Sequence, residues 1–192
     1  RKEYSKQLEQ KIIQGLKDLN FLDVNFAIDF RKKKNYTDNG TDDIQYLIST
    51  NPGETLKPLG QIVSGGELSR IMLALKAILA DRDEIETLIF DEIDTGISGR
   101  TAWKVAEQLS ILAGAHQVIC ITHLPQIAAM ADSHYLIEKS ADEGKTVTKI
   151  VRLSEAESIT EIARLLGGAS ITDAVMSNAL EMKQMAEKTK KY

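Results

Sequence analysis

Apolar residues repeat along this chain with two periods, and their alternation predicts an α/β protein. Tyr4, Leu8, Ile12, Leu16 and Leu19 are spaced by 4, 4, 4 and 3, one stripe on an otherwise charged rod, so residues 1–20 read as a helix. Such a stripe suits a short packing helix or the last turns of a coiled coil entering a globular head. Phe26, Ile28 and Phe30 then alternate with polar residues, and Ile44, Tyr46 and Ile48 do so again. Period two on either side of a loop rich in Lys, Asn, Asp and Gly predicts an antiparallel pair, with the basic run 31–34 (RKKK) at its tip. A basic run on a turn is ordinarily just solvated; contact with DNA is the alternative.

Residues 51–60 (NPGETLKPLG) read as a loop, and a long helix starts at Ser64, with Leu68, Ile71, Met72, Leu75, Ile78 and Leu79 at helical spacing. A strand is expected at 87–90, a helix at 101–113 ending at Gly114, and a strand at 117–122. Pro125 suits the first turn of a short helix. YLIEK and TVTKIVRL flank ADEG as a hairpin, and helices near 158–166 and 172–187 are separated by Gly167 and Gly168. Strands alternating with helices imply a mostly parallel sheet flanked by helices.

Composition narrows the classes. A chain of 192 residues suits one domain with room for an appendage. The net charge of −4 and the aromatic share of 5% give no chain-wide case for nucleic-acid binding or base stacking. A single cysteine, Cys120, cannot form an intrachain disulfide, which points to a reducing compartment. The first residues are polar rather than signal-like, and the longest apolar stretch, IMLALKAILA, is too short for a bilayer and carries Lys76. The chain begins with Arg rather than Met, as a fragment or processed product would.

Three short strings carry chemistry. In VSGGELSR, Ser64 is a good N-cap and Glu67 completes a capping-box pattern. Gly65 and Gly66 cost the helix about 1 kcal/mol each relative to alanine, which is useful where a ligand must approach the backbone. A helix start with free N–H groups suits an anion, commonly phosphate; the plainer reading is a capped helix. In TLIFDE, a short apolar strand, consistent with burial on both faces, delivers Asp91 and Glu92 to its carboxyl end, where open α/β sheets bind ligands. Asp91 would hold Mg²⁺ and Glu92 would polarise or deprotonate a water; the plainer reading is an acidic turn. In ICITH, a second apolar strand ends near His123, and Asp94, Gly96 and Ser98 form a turn beside the acids. The spacings Ser64–Asp91 and Asp91–His123 leave room for one helix and a connection, then for a right-handed crossover. No G-x-x-x-x-G-K-[ST] phosphate loop occurs in the 192 residues.

Taken together, SGGE, TLIFDE, IDTGISG and ITH resemble the signature, Walker B, D-loop and switch-histidine motifs of ABC-type ATPases. The finer strings NPGETLKPLGQIVSGGELSRIMLALK, DEIDTGISGRTA and ITHLPQIAAMADSHYLIEK are similar to SMC-like members that serve bacterial DNA repair, covering most of residues 44–139. VSGGE stands where many ABC proteins have LSGGQ, a change SMC-like members tolerate. The resemblance implies that residues 1–20 end a coiled coil and residues 21–192 form the C-terminal lobe of an ATPase head. It implies ATP and Mg²⁺ as cofactors, with Asp91 at the metal, Glu92 and His123 in catalysis, and Ser64, Gly65, Gly66, Glu67 and Asp94 at the nucleotide. The phosphate loop would come from the N-terminal half of the same head. Ser64, Gly65 and Gly66, set well away from the acids of their own chain, would cap ATP held by a second head. The further implications are DNA as a partner, repair of double-strand breaks, a cytoplasmic, nucleoid-associated location, and no ATP turnover by this chain alone. A non-enzymatic half-head module and a transporter ATPase fragment are the alternatives.

Overall fold

A computed structural model describes residues 1–62, 64–79, 84–142, 145–168 and 170–190. Val63, at the head of VSGGELSR, and residues 143–144, in the ADEG turn, lie outside the described residues. The chain divides into two compact units: residues 1–96 with 112–121, and residues 97–111 with 122–192.

The first unit opens with helix α1 (Lys2–Asp18). Its stripe is buried from Ile12 onward, with Leu16 and Leu19 inside, while Tyr4 is exposed. The stripe packs on helix α2 (Gly65–Leu79) at a close approach, where a Cβ on Gly15 would stand 3.6 Å from Ile78 Cδ1 and 3.7 Å from Ala74 Cβ. The helix also packs on strand β1 (Asn25–Thr37), where the Ile28 N–H donates to Glu9 Oε1 at 2.7 Å.

Strand β1 pairs antiparallel with β2 (Gly40–Ser49), and β2 with the two-residue strand β3 (Lys57–Pro58). The period-two reading holds, with Phe26 opposite Ile48 and Phe30 opposite Ile44. The placement of the basic run does not. Residues 31–34 are not at a loop tip: β1 continues to Thr37 and the turn comes at Asp38 and Asn39. Arg31 and Lys32 pair with Asp43 and Asp42 across the ladder. Lys32 Nζ lies 2.9 Å from Asp42 Oδ1 and Lys33 Nζ 3.7 Å from Asp43 Oδ1. Opposite charges across a strand pair stabilise the register, so polar residues extend a ladder that hydrophobicity alone would end at Phe30. Lys32 in turn holds the Asp42 carboxyl below its usual range. The expected loop after β2 also contains β3 and a 3₁₀ turn over Leu59–Gln61.

Strands β4 (Thr87–Phe90) and β5 (Gln117–Cys120) form a parallel pair, Thr87 opposite Gln117 and Phe90 opposite Cys120. This is the expected parallel element; the remaining strand pairs are antiparallel. Burial on both faces is not observed. Leu88 and Phe90 are buried, whereas Ile89 is 67% exposed and Ile119 and Ile121 are exposed beside it. Among the described residues only one face of the pair is covered.

Helix α3 (Gly99–Ala113) lies mostly in the second unit, which continues with α4 (Pro125–Met130). The hairpin of β6 (Tyr135–Asp142) and β7 (Lys145–Arg152) follows, then α5 (Glu155–Gly167) and α6 (Asp173–Thr189). Helices α4, α5 and α6 pack on one another through small buried residues, among them Ala128, Ala129, Ala163 and Ala179. Lys183 Nζ donates to the carbonyls of Ala129 and Ala131, closing the end of α4. Helix α5 begins three residues before the position expected from periodicity. Ser154 and Glu157 form a reciprocal capping box, and two polar cap residues leave no apolar signal in that first turn. No helix among the described residues is long and apolar enough to cross a membrane.

A candidate nucleotide site at the end of strand β4

Strand β4 ends at Phe90, and the chain turns at once through Asp91 to Gly96. Asp91 and Glu92 are exposed, whereas Ile93 and Asp94 are buried. The turn is strained at one point: Glu92 has φ +56°, a left-handed conformation that a residue with a Cβ adopts at a cost. Its N–H donates to Asp91 Oδ1 at 2.9 Å, and its carbonyl accepts from Thr95 N–H at 3.0 Å.

Helix α2 grips this turn. Ser69 Oγ donates to the Asp91 carbonyl at 2.8 Å. Arg70, only 7% exposed, sends Nη1 to the carbonyls of Ile93 at 3.1 Å and Thr95 at 2.8 Å, with its guanidinium 5.6 Å from the Phe21 ring centroid. Burial lowers the Arg70 pKa, while the charges of Glu67 and Asp94 oppose that shift. Both glycines press on the same turn. A Cβ on Gly66 would stand 2.9 Å from the Glu92 carbonyl oxygen and 2.9 Å from Thr95 Cβ. A Cβ on Gly65 would stand 2.5 Å from Glu92 Oε2. The glycines therefore have a cause inside the chain, independent of any ligand. The expected separation between the start of α2 and the acids is also overturned: the Glu92 carboxylate lies against Gly65.

The remaining site residues fall as follows. Ser64 Oγ accepts from Glu67 N–H at 3.4 Å, the first half of the capping-box pattern. Asp94 is buried, and its charge acts on Arg70 and Cys120. Cys120 is pushed up to about 12, by burial first and then by Asp94 and Asp91. Gly96 turns with φ +75°, and Ser98 belongs to the second unit. His123 is exposed, three residues beyond the end of β5, also in the second unit. Parallel pairing brings the carboxyl ends of β4 and β5 to one edge, with Ile121 N–H donating to the Phe90 carbonyl at 3.0 Å. Ser69 and Arg70 were not among the expected site residues. Their signal was an arginine on the buried stripe of α2, among Gly66, Ile71, Leu73 and Ala74, where only a paired charge can sit.

No protein-family model matches the chain. Among curated proteins, DNA repair protein RecN of Halalkalibacterium halodurans is 41% identical over 194 residues, covering 99% of this chain and 34% of that protein. The chain is similar to the C-terminal part of RecN. RecN of Bacillus subtilis is 40% identical over 205 residues, with 99% of this chain and 36% of that protein covered. RecN of Treponema pallidum is 56% identical over 109 residues, 57% of this chain and 19% of its own length. The chain thus spans about a third of the length of the first two RecN relatives. Among solved structures, the Smc head with a coiled coil and joint from Pyrococcus yayanosii superposes with a TM-score of 0.57 at 21% identity, covering 80% of this chain and 28% of that one. An SMC head bound to the C-winged helix domain of ScpA gives 0.54 at 21% identity, covering 81% and 45%. At that identity the likeness speaks for the fold alone, and the fold is that of part of an SMC head.

Proposed function

We propose that this chain is the C-terminal lobe of an ATP-hydrolysing head in an SMC-like protein of bacterial DNA double-strand break repair. The observation that carries the reading is the convergence of the SGGE helix start and the acidic end of β4 on one turn, in a sequence similar to RecN along nearly its whole length. The helix start favours a phosphate and the exposed carboxylates a divalent cation, and the reading assigns them to two different nucleotides, one on each head, although they share one turn of this chain.

The donor set fits magnesium. Among the described residues no three His, Cys, Asp or Glu side chains cluster as a cage. Magnesium is commonly held by one or two carboxylates with phosphate oxygens and water, and Asp91 offers such a carboxylate at an exposed position. Bound there, the metal would neutralise charge on the phosphates. The chain's own residues supply the rest. Asp91 orients its carboxylate by accepting from Glu92 N–H. Glu92 takes the proton of the attacking water; the resemblance gives His123, which lies in the second unit, a role in catalysis as well. Ser64, Gly65 and Gly66 present the helix start, with Glu67 behind them, to the γ-phosphate of ATP on a second head. Asp94, buried in the same turn, completes the nucleotide-facing set that the resemblance implies. The phosphate loop comes from the N-terminal half of the head, so the lone chain does not turn ATP over. DNA is the partner acted on.

The test is ATP hydrolysis by this chain alone, by the chain with its complementary N-terminal half, and by that mixture carrying Glu92→Gln. Turnover only in the wild-type mixture is expected, with Glu92→Gln lowering it by about 10²–10⁴ while nucleotide still binds. Turnover by the lone chain, or an unaffected variant, would sink the reading.

A further inference from the structure

We propose that Ser69 and Arg70 are positioning residues that lock the strained Glu92 turn to the start of α2, so that the phosphate-facing glycines and the catalytic carboxylate move as one body. The inference rests on the proposed role of Glu92.

Three contacts build the lock. Ser69 Oγ donates to the carbonyl of Asp91, immediately before Glu92. Arg70 Nη1 donates to the carbonyls of Ile93 and Thr95, immediately after it. Gly66 leaves no room for a Cβ between the helix and the Glu92 carbonyl. Carbonyls on both sides of Glu92 are therefore fixed from one helix, within two turns of the residues that would meet phosphate. A left-handed glutamate persists only where its surroundings over-determine it, and these bonds are the surroundings. Arg70 suits the task because a planar guanidinium presents several donors in fixed geometry and stays charged when buried; a lysine ammonium is a point charge on a flexible stem. The Phe21 ring and the charges of Glu67 and Asp94 hold the guanidinium in place.

Anything that shifts the start of α2 would then shift Glu92. Engagement of phosphate at Ser64 and Gly65 would be transmitted to the carboxylate through the helix backbone, with no separate relay.

The experiment uses the complete protein and follows ATP affinity, turnover and thermal stability in Ser69→Ala, Arg70→Lys, Glu92→Gln and Ser69→Ala/Glu92→Gln. Ser69→Ala is expected to lower turnover roughly tenfold with ATP affinity unchanged and only a small fall in melting temperature, as loss of an orienting contact does. Arg70→Lys is expected to lower turnover further. In the double variant, turnover should equal that of Glu92→Gln alone, because Ser69 acts through Glu92. Multiplicative losses in the double variant, or full turnover in Ser69→Ala, would overturn the lock. A Glu92→Gln variant with normal turnover would instead overturn the assignment of Glu92, a separately visible outcome.

Discussion

The carboxylate of Glu92 lies against Gly65, so close that a Cβ on the glycine would meet Oε2 at 2.5 Å, while the neighbouring Gly66 meets backbone at 2.9 Å. The two glycines of one motif therefore face different obstacles, and alanine at each should behave differently. Gly66→Ala collides with a carbonyl and with Thr95, neither of which can swing aside, and should destabilise the protein by about 1–3 kcal/mol. Gly65→Ala collides with the end of a flexible side chain and gains helix propensity, so urea melts should show unchanged or slightly higher stability. In the complete protein the same variant should lose ATP turnover, because Glu92 is displaced. Equal destabilisation by both variants would contradict the geometry.

Ser64 begins the helix that would meet a second head. Ser64→Arg places a long cation where phosphate is expected and removes the oxygen that accepts from Glu67 N–H. Nucleotide binding to a single head should survive, and ATP-dependent pairing of heads should be lost, as sedimentation of the complete protein would read out. Continued pairing would contradict a composite site.

Stability should fall on mild acidification through His134. Its ring Nδ1 lies 2.8 Å from Ser158 Oγ. Burial lowers its pKa below 6.5, outweighing the opposing Glu161, with Lys183 adding to the lowering. The folded state therefore binds fewer protons than the unfolded state just below the ordinary pKa. The stability is fully present above 6.5 and declines as pH falls toward the folded pKa. His134→Gln should flatten that decline in denaturant titrations across the window; an unchanged slope would exclude His134 as its source.

Cys120 should resist alkylation in the folded chain. With its pKa pushed up to about 12, the thiolate is scarce. Iodoacetamide at about pH 8 should react roughly a thousandfold more slowly than with the unfolded chain. Rapid labelling of folded protein would show that the burial around β5 is wrong.

The element order was largely legible because apolar period and capping residues agree. Leu68, Ile71, Leu75 and Ile78 mark α2, and Gly167 with Gly168 marks the break between α5 and α6. Legibility failed where side-chain polarity and backbone pairing part company. Lys32 and Lys33 read as loop residues, yet the aspartates of β2 hold them in a strand. Ile89 reads as core because it is apolar, yet among the described residues nothing covers it. At the site, motif spacing singled out Ser64, Asp91 and Glu92 as candidates. It could not reveal that Gly65 and Glu92 touch, because their contact depends on a turn whose key feature, the positive φ of Glu92, is carried by a residue type that does not announce it.

The first unit is discontinuous, resuming at Leu112 after an interruption that begins at Ile97. Strand β4 pairs with β5, and β5 is made 30 residues later. At about 5–20 residues per second, a growing chain leaves the TLIF strand without its partner for roughly 1.5 to 6 seconds. Through that interval Ile89 and Phe90 sit on an unpaired apolar edge able to pair with a neighbouring nascent chain. Any delay between the emergence of β4 and that of β5 should therefore raise chaperone demand and reduce soluble yield on overexpression, even though it leaves the mature protein unchanged.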